Sequence, residues 1–138
     1  MKRAHLLAVV AALGLLVMAP AVQAAPSNPF NGHWQGTDPG DKSTLDAFIS
    51  GGSKVQITYT DDVATSACEG AADQSFTSFL TGTIDGNVVN STMKWAKCGS
   101  APLNFNGFQI SWTLNDHGNA NTADDVLTNS FGETFRRV

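Results

Sequence analysis

Three groups of side chains in this sequence can carry chemistry. The first is His33 and His117 with scattered carboxylates, the material of a general acid–base pair, which works only when donor and acceptor lie within hydrogen-bond reach. Nothing in the spacing brings the two histidines together, and a solvated His on a strand or in a turn accounts for each. Glu69 and Glu133 are the only glutamates, which leaves little material for a glycosidase-type carboxylate pair. The second group is Asp116, Asn119, Asn121, Asp124 and Asp125, crowded into one polar segment. Oxygen-rich loops can hold calcium, but the spacing departs from D-x-[DN]-x-[DN]-G and no glutamate stands at the twelfth position. Asn, Gly and Asp are also what an exposed turn prefers, so neither a metal nor a cofactor is expected. The third group is aromatic. Trp34, Trp95 and Trp112, with Tyr59 and Phe108, are the candidate ligand-binding residues, able to line a cavity for an apolar ligand. The competing account is that they fill a barrel interior as ordinary core. Asn90-Ser91-Thr92 fits a glycosylation acceptor, but it falls within a predicted strand.

These residues must be positioned by strands. Val55, Ile57 and Tyr59 alternate with Lys54, Gln56, Thr58 and Thr60, and Phe108, Ile110, Trp112 and Leu114 alternate with Gln109, Ser111 and Thr113. That period of two gives each segment one apolar and one polar face. Leu45, Ala47 and Ile49 mark a third strand. Val89, Met93 and Trp95, with Ser91 in the same row, mark a fourth, and Leu80, Gly82 and Ile84 a fifth. Shorter strands are expected at 32–37, 63–68, 126–130 and 133–138. Gly51-Gly52, Asp85-Gly86 and Phe131-Gly132 supply the tight turns between them. Residues 67–74 form a loop or a short helix, and 115–125 a longer polar loop. The fold class expected is all-β, a single antiparallel up-and-down barrel or strongly curled sheet of about eight strands, because closure removes unpaired edges.

Compartment follows from the two ends of the hydropathy pattern and from the cysteines. Lys2 and Arg3 precede an apolar run of 13 residues, Leu6–Met18; Pro20 and the small residues of Val22-Gln23-Ala24 follow. This order reads as a secretion signal over 1–24, cleaved after Ala24, and the run is shorter than the roughly 20 residues that a span requires. The remaining chain, 25–138, is expected to be one domain without a membrane span. It carries six basic residues against twelve acidic, a net charge of −6, which argues against nucleic acid, whose phosphates demand a basic face. Cys68 and Cys98 are the only cysteines. In an oxidising compartment two such thiols pair, and closing a loop of that length stabilises by about 3–4 kcal/mol.

The sequence Phe30-Asn31-Gly32-His33-Trp34 places a Gly-x-Trp pattern at the first predicted strand, and Phe135-Arg136-Arg137-Val138 ends the last one. This pairing of ends resembles the lipocalin-like and avidin-like, calycin-type small β-barrels. The resemblance covers both ends and the hairpin from Ser43 to Asp62, under half of the chain after the leader. It implies that Arg136 or Arg137 packs on Trp34 by cation–π contact and hydrogen bonding, capping one end. Gly36 stands where avidin-like chains place a polar Asn, so biotin is not implied.

The expectation for function is a secreted or cell-envelope, non-catalytic binding domain whose partner is a small apolar or amphipathic ligand. The alternative is an extracellular protein-interaction or inhibitor domain that acts through exposed loops. An enzyme is disfavoured by the lack of any nucleophile–base pattern.

Overall fold

Alternation becomes nine strands, seen in a computed structural model that describes residues 28–105, 107–116 and 122–138. The expected leader (1–24), the start of the domain at 25–27, and His117, Asn119 and Asn121 lie outside the described residues. The strands are β1 Gly32–Thr37, β2 Thr44–Gly51, β3 Lys54–Asp61, β4 Phe76–Asp85, β5 Val88–Cys98, β6 Ala101–Leu103, β7 Gln109–Asn115, β8 Val126–Asn129 and β9 Thr134–Arg137. All pairings are antiparallel, in the order β4-β3-β2-β1-β9-β8-β7-β5, and β4 also pairs with β5. The sheet therefore closes on itself as an eight-stranded barrel, an architecture compatible with the calycin-type resemblance. β6 adds a ninth, short strand beside the end of β5. Among the described residues the one helical element is a 3-10 turn, Thr122–Asp124, and no helix is long and apolar enough to cross a membrane.

The inward rows are the apolar rows of the sequence. Leu45, Ala47 and Ile49 of β2, Val55, Ile57 and Tyr59 of β3, and Ile110, Trp112 and Leu114 of β7 are all buried. Two glycines permit closure at narrow points. A Cβ on Gly51, which has φ 128°, would stand 2.3 Å from the carbonyl oxygen of Lys54, so the β2–β3 hairpin needs glycine there. A Cβ on Gly36 would stand 2.4 Å from the carbonyl oxygen of Thr134; its absence lets β9 approach β1 closely enough for Phe135 to enter the core.

Three expectations are corrected. Trp95 does not share the inward row of Val89, Ser91 and Met93: the pairing runs Leu80↔Met93 but Phe79↔Trp95, leaving Lys94 as one extra residue on β5. This bulge reverses the phase of the alternation. Trp95 therefore points outward, 46% exposed, and Ala96 and Cys98 point inward instead. Phe108 lies one residue before β7 and is half-exposed, outside the inward row. Residues 63–68 are not a strand, and of the two readings of 67–74 the loop is the one found; the segment between β3 and β4 is a run of turns, started by the backbone N–H of Val63 donating to Asp61 Oδ1 at 3.0 Å. The Cys68–Cys98 disulfide is formed and fastens that segment to the end of β5.

Candidate functional site

The two ends of the barrel are built differently. At one end Trp34, fully buried, donates its indole N–H to the carbonyl of Phe30 at 2.8 Å. The Arg137 guanidinium lies over the Trp34 ring, its Cζ 4.1 Å from the ring centroid. Arg137 also donates to the carbonyls of Asn31 and Pro29 and to Asp125 Oδ2 at 3.2 Å. Of the two arginines that the resemblance offered, Arg137 is the one that caps this end. Asp125, one of the loop oxygens considered for calcium, is committed to that ion pair.

The other end holds a cavity of about 340 Å³, within the range of small-molecule sites. Its apolar wall includes Phe76, Met93 and Ile110 from the strands. Beneath them, Tyr59 meets Phe76, Trp112 and Phe135 edge-on at centroid distances of 6.0, 6.0 and 6.3 Å. The rim is aromatic and reaches solvent: Phe105 meets Phe108 edge-on at 6.4 Å, and Phe108 stacks on Phe131 at 5.8 Å. These three rings are 37%, 44% and 54% exposed, an unusual grouping for large apolar side chains on one edge. Ala64, Ser66 and Ala67 of the disulfide-fastened segment form the remaining side. A larger depression, about 660 Å³, lies beside the β2–β3 hairpin. It is open to solvent and lined mainly by Ser, Thr, Lys, Gln and Asn, without the aromatic wall that holds an organic ligand, so the smaller cavity is the candidate.

Three carboxylates face that cavity: Asp38, Asp61 and Glu133. The Tyr59 hydroxyl donates to Glu133 Oε2 at 3.0 Å, and the Asn129 amide donates to the same oxygen. Asn129 also accepts the backbone N–H groups of Phe131 and Glu133, at 3.0 and 3.1 Å, which fixes the β8–β9 turn and aims both side chains. Asp61 Oδ1 accepts the Ser43 hydroxyl at 2.7 Å. Burial pushes the Glu133 carboxyl above its ordinary range against the bonds from Asn129 and Tyr59, and the charges of Asp38 and Asp61 push the same way. Burial likewise raises Asp61, opposed by the bonds from Ser43 and Val63 and helped by the charges of Asp41 and Asp38. The Tyr59 hydroxyl is raised by burial and then by Glu133, so it stays protonated and acts as a donor.

Of the five aromatic candidates, Tyr59 and Phe108 line this cavity. Trp112 belongs to the solid core below it, donating its indole N–H to Ser91 Oγ at 3.1 Å. Trp34 lies in the plug at the far end. Trp95 stands outside the barrel, stacked on Phe79 at 6.1 Å. His33 meets Asp46 Oδ1 at 2.5 Å and stacks on Phe48 at 4.1 Å, on the polar outer face of β1 and β2 rather than in the cavity. Among the described residues no three His, Cys, Asp or Glu side chains converge as a metal site.

Sequence reasoning missed Asp38, Asp61, Glu133, Phe76, Phe105 and Phe131. Asp61 was within reach, because the row Val55, Ile57, Tyr59 continues to it and it is buried as that row requires. Glu133, Phe105 and Phe131 sit in connections, where no periodicity marks direction. Comparison of the chain with protein-family models, with curated proteins and with solved structures finds no match.

Proposed function

We propose that this protein is an exported, non-catalytic β-barrel of the calycin type that holds a small apolar or amphipathic ligand in the open end of the barrel. One observation carries the reading: a cavity of ligand size, walled by Tyr59, Phe76, Met93 and Ile110 and edged by three half-exposed phenylalanines. Apolar rings left in water at the mouth of a cavity gain when an apolar body covers them. The basic-then-apolar N-terminus and the Cys68–Cys98 disulfide support export to an oxidising compartment.

Native mass spectrometry of the protein recovered from the secreting cell tests this. A small organic adduct, lost on denaturation and reduced when Phe108 and Phe131 are replaced by Ser, is the expected result. The same exposed rim favours a second reading, an extracellular interaction or inhibitor domain that docks a protein through Phe105, Phe108 and Phe131. A captured protein partner with an empty cavity would select that reading instead.

A further inference from the structure

The charge around the cavity narrows the class of occupant. Asp38, Asp61 and Glu133 come from three separate places in the chain, and among the described residues no Lys, Arg or His lines the cavity with them. Their hydrogen-bond partners are neutral: Ser43 and the Val63 amide on Asp61, Tyr59 and Asn129 on Glu133, the Gly40 amide on Asp38. The contrast with Asp125 is direct, since its buried carboxylate has Arg137 as counter-ion. A partly buried carboxylate without a cation is costly, and the cost is offset when a positive charge is brought in. The carboxylates do not converge as a metal site, so their field is spread over the cavity and suits a diffuse organic cation better than a bare ion. The walls suit it as well, because the faces of Tyr59, Phe76, Phe105, Phe108 and Phe131 carry negative electrostatic potential and attract ammonium groups.

We infer that the occupant of the cavity is a small organic ammonium compound, with an apolar body against the aromatic wall and a protonated amine facing Asp38, Asp61 and Glu133. This rests on the ligand-binding reading above and adds the charge of the ligand to it.

Three probes of one shape separate the two ideas: 2-phenylethylammonium, 2-phenylethanol and 3-phenylpropanoate, titrated calorimetrically at pH 7 and low salt into the secreted protein. The expected result is that the ammonium binds at least tenfold more tightly than the alcohol, and the carboxylate binds weakest. In Glu133→Gln and in Asp38→Asn, which keep the side-chain shape, the ammonium should lose several-fold more affinity than the alcohol, so that the ratio between the two probes shrinks. Equal affinities for ammonium and alcohol would overturn the inference and leave the cavity reading standing. No binding of any probe at millimolar concentration would overturn both. Should Glu133→Gln unfold, Asp38→Asn at the rim carries the comparison, and an unchanged ammonium preference there would count against the inference.

Discussion

The plugged end and the open end of this barrel handle charge in opposite ways. At the plugged end the guanidinium of Arg137 is stacked on Trp34, bonded to two carbonyls and paired with Asp125, so each part of the cluster supports the next. At the open end three carboxylates share a cavity with apolar side chains and neutral donors. One end pairs its carboxylate with a cation, and the other keeps three carboxylates with no cation among the described lining residues. The plug is buried and tied together by these bonds, whereas the mouth keeps three phenylalanine rings in contact with solvent.

The largest expected effect comes from breaking the plug. Trp34→Ala removes a fully buried ring and the platform beneath Arg137, and should cost about 3–5 kcal/mol, read as a lower urea midpoint. Arg137→Met should cost about 3 kcal/mol, because it leaves Asp125 buried without its counter-ion. If Arg137→Met together with Asp125→Asn recovers most of that loss, the cost is the orphaned charge; if it recovers none, the packing on Trp34 dominates. Replacing Cys68 and Cys98 by Ala should cost about 2–4 kcal/mol. Because the disulfide fastens the turn segment between β3 and β4, hydrogen exchange should rise first across 62–75.

Neutralising charge at the mouth should have the opposite sign. Asp61→Asn and Glu133→Gln each remove a carboxylate whose ionised form burial disfavours, so each should be neutral or stabilising by about 0.5–1 kcal/mol. A loss of 2 kcal/mol in either would show that the mouth, like the plug, depends on its charges. The pH profile follows from the same groups. Their folded pKa values stand above the ordinary ones, so between those values the folded state binds more protons than the unfolded state, and stability falls as pH rises through that window. Acidifying from pH 7 toward the ordinary carboxylate range, about 4, should therefore raise Tm. Below it Asp41 and Asp73, whose pKa values are lowered by hydrogen bonds from Ser43 and Ser75, lose their contribution as they protonate, and Tm should fall. In the Asp61→Asn, Glu133→Gln double variant the rise on acidification should vanish while the acid fall remains.

How much of this was legible in the sequence depends on whether a residue lies in a regular row. The strand at Gly32–Thr37 and the inward set of β2, β3 and β7 follow from alternation, and the pairing of Trp34 with a terminal arginine follows from the resemblance to calycin-type barrels. Trp95 escaped because a single extra residue, Lys94, inverts the phase, and a bulge leaves no mark in a hydropathy pattern. Residues 63–68 carry Val63 and Ala64 in strand-like order, but the Asp61 carboxylate caps the first turn and the disulfide holds the rest. The mouth was the least legible part. Its rim residues Phe105 and Phe131 and its carboxylate Glu133 are aimed by local bonds such as those of Asn129, which depend on loop conformation rather than on spacing.

The smallest expected change in stability is also the sharpest separation of the two ends. Phe131 is the most exposed aromatic ring of the rim and stacks on Phe108. Phe131→Ala should shift stability by no more than about 0.5 kcal/mol, as surface substitutions do, while binding of 2-phenylethylammonium weakens several-fold, because an aromatic wall of the site is gone. Phe48→Ala is the matched control: that ring is comparably exposed, at 49%, but it stacks on His33 on the outer face and should leave the affinity unchanged. Equal effects of the two substitutions on binding would mean that exposed rings act nonspecifically, and that the open end owes nothing to its shape. A loss confined to Phe131 would tie recognition to the rim itself, since neither substitution touches the core that supports it.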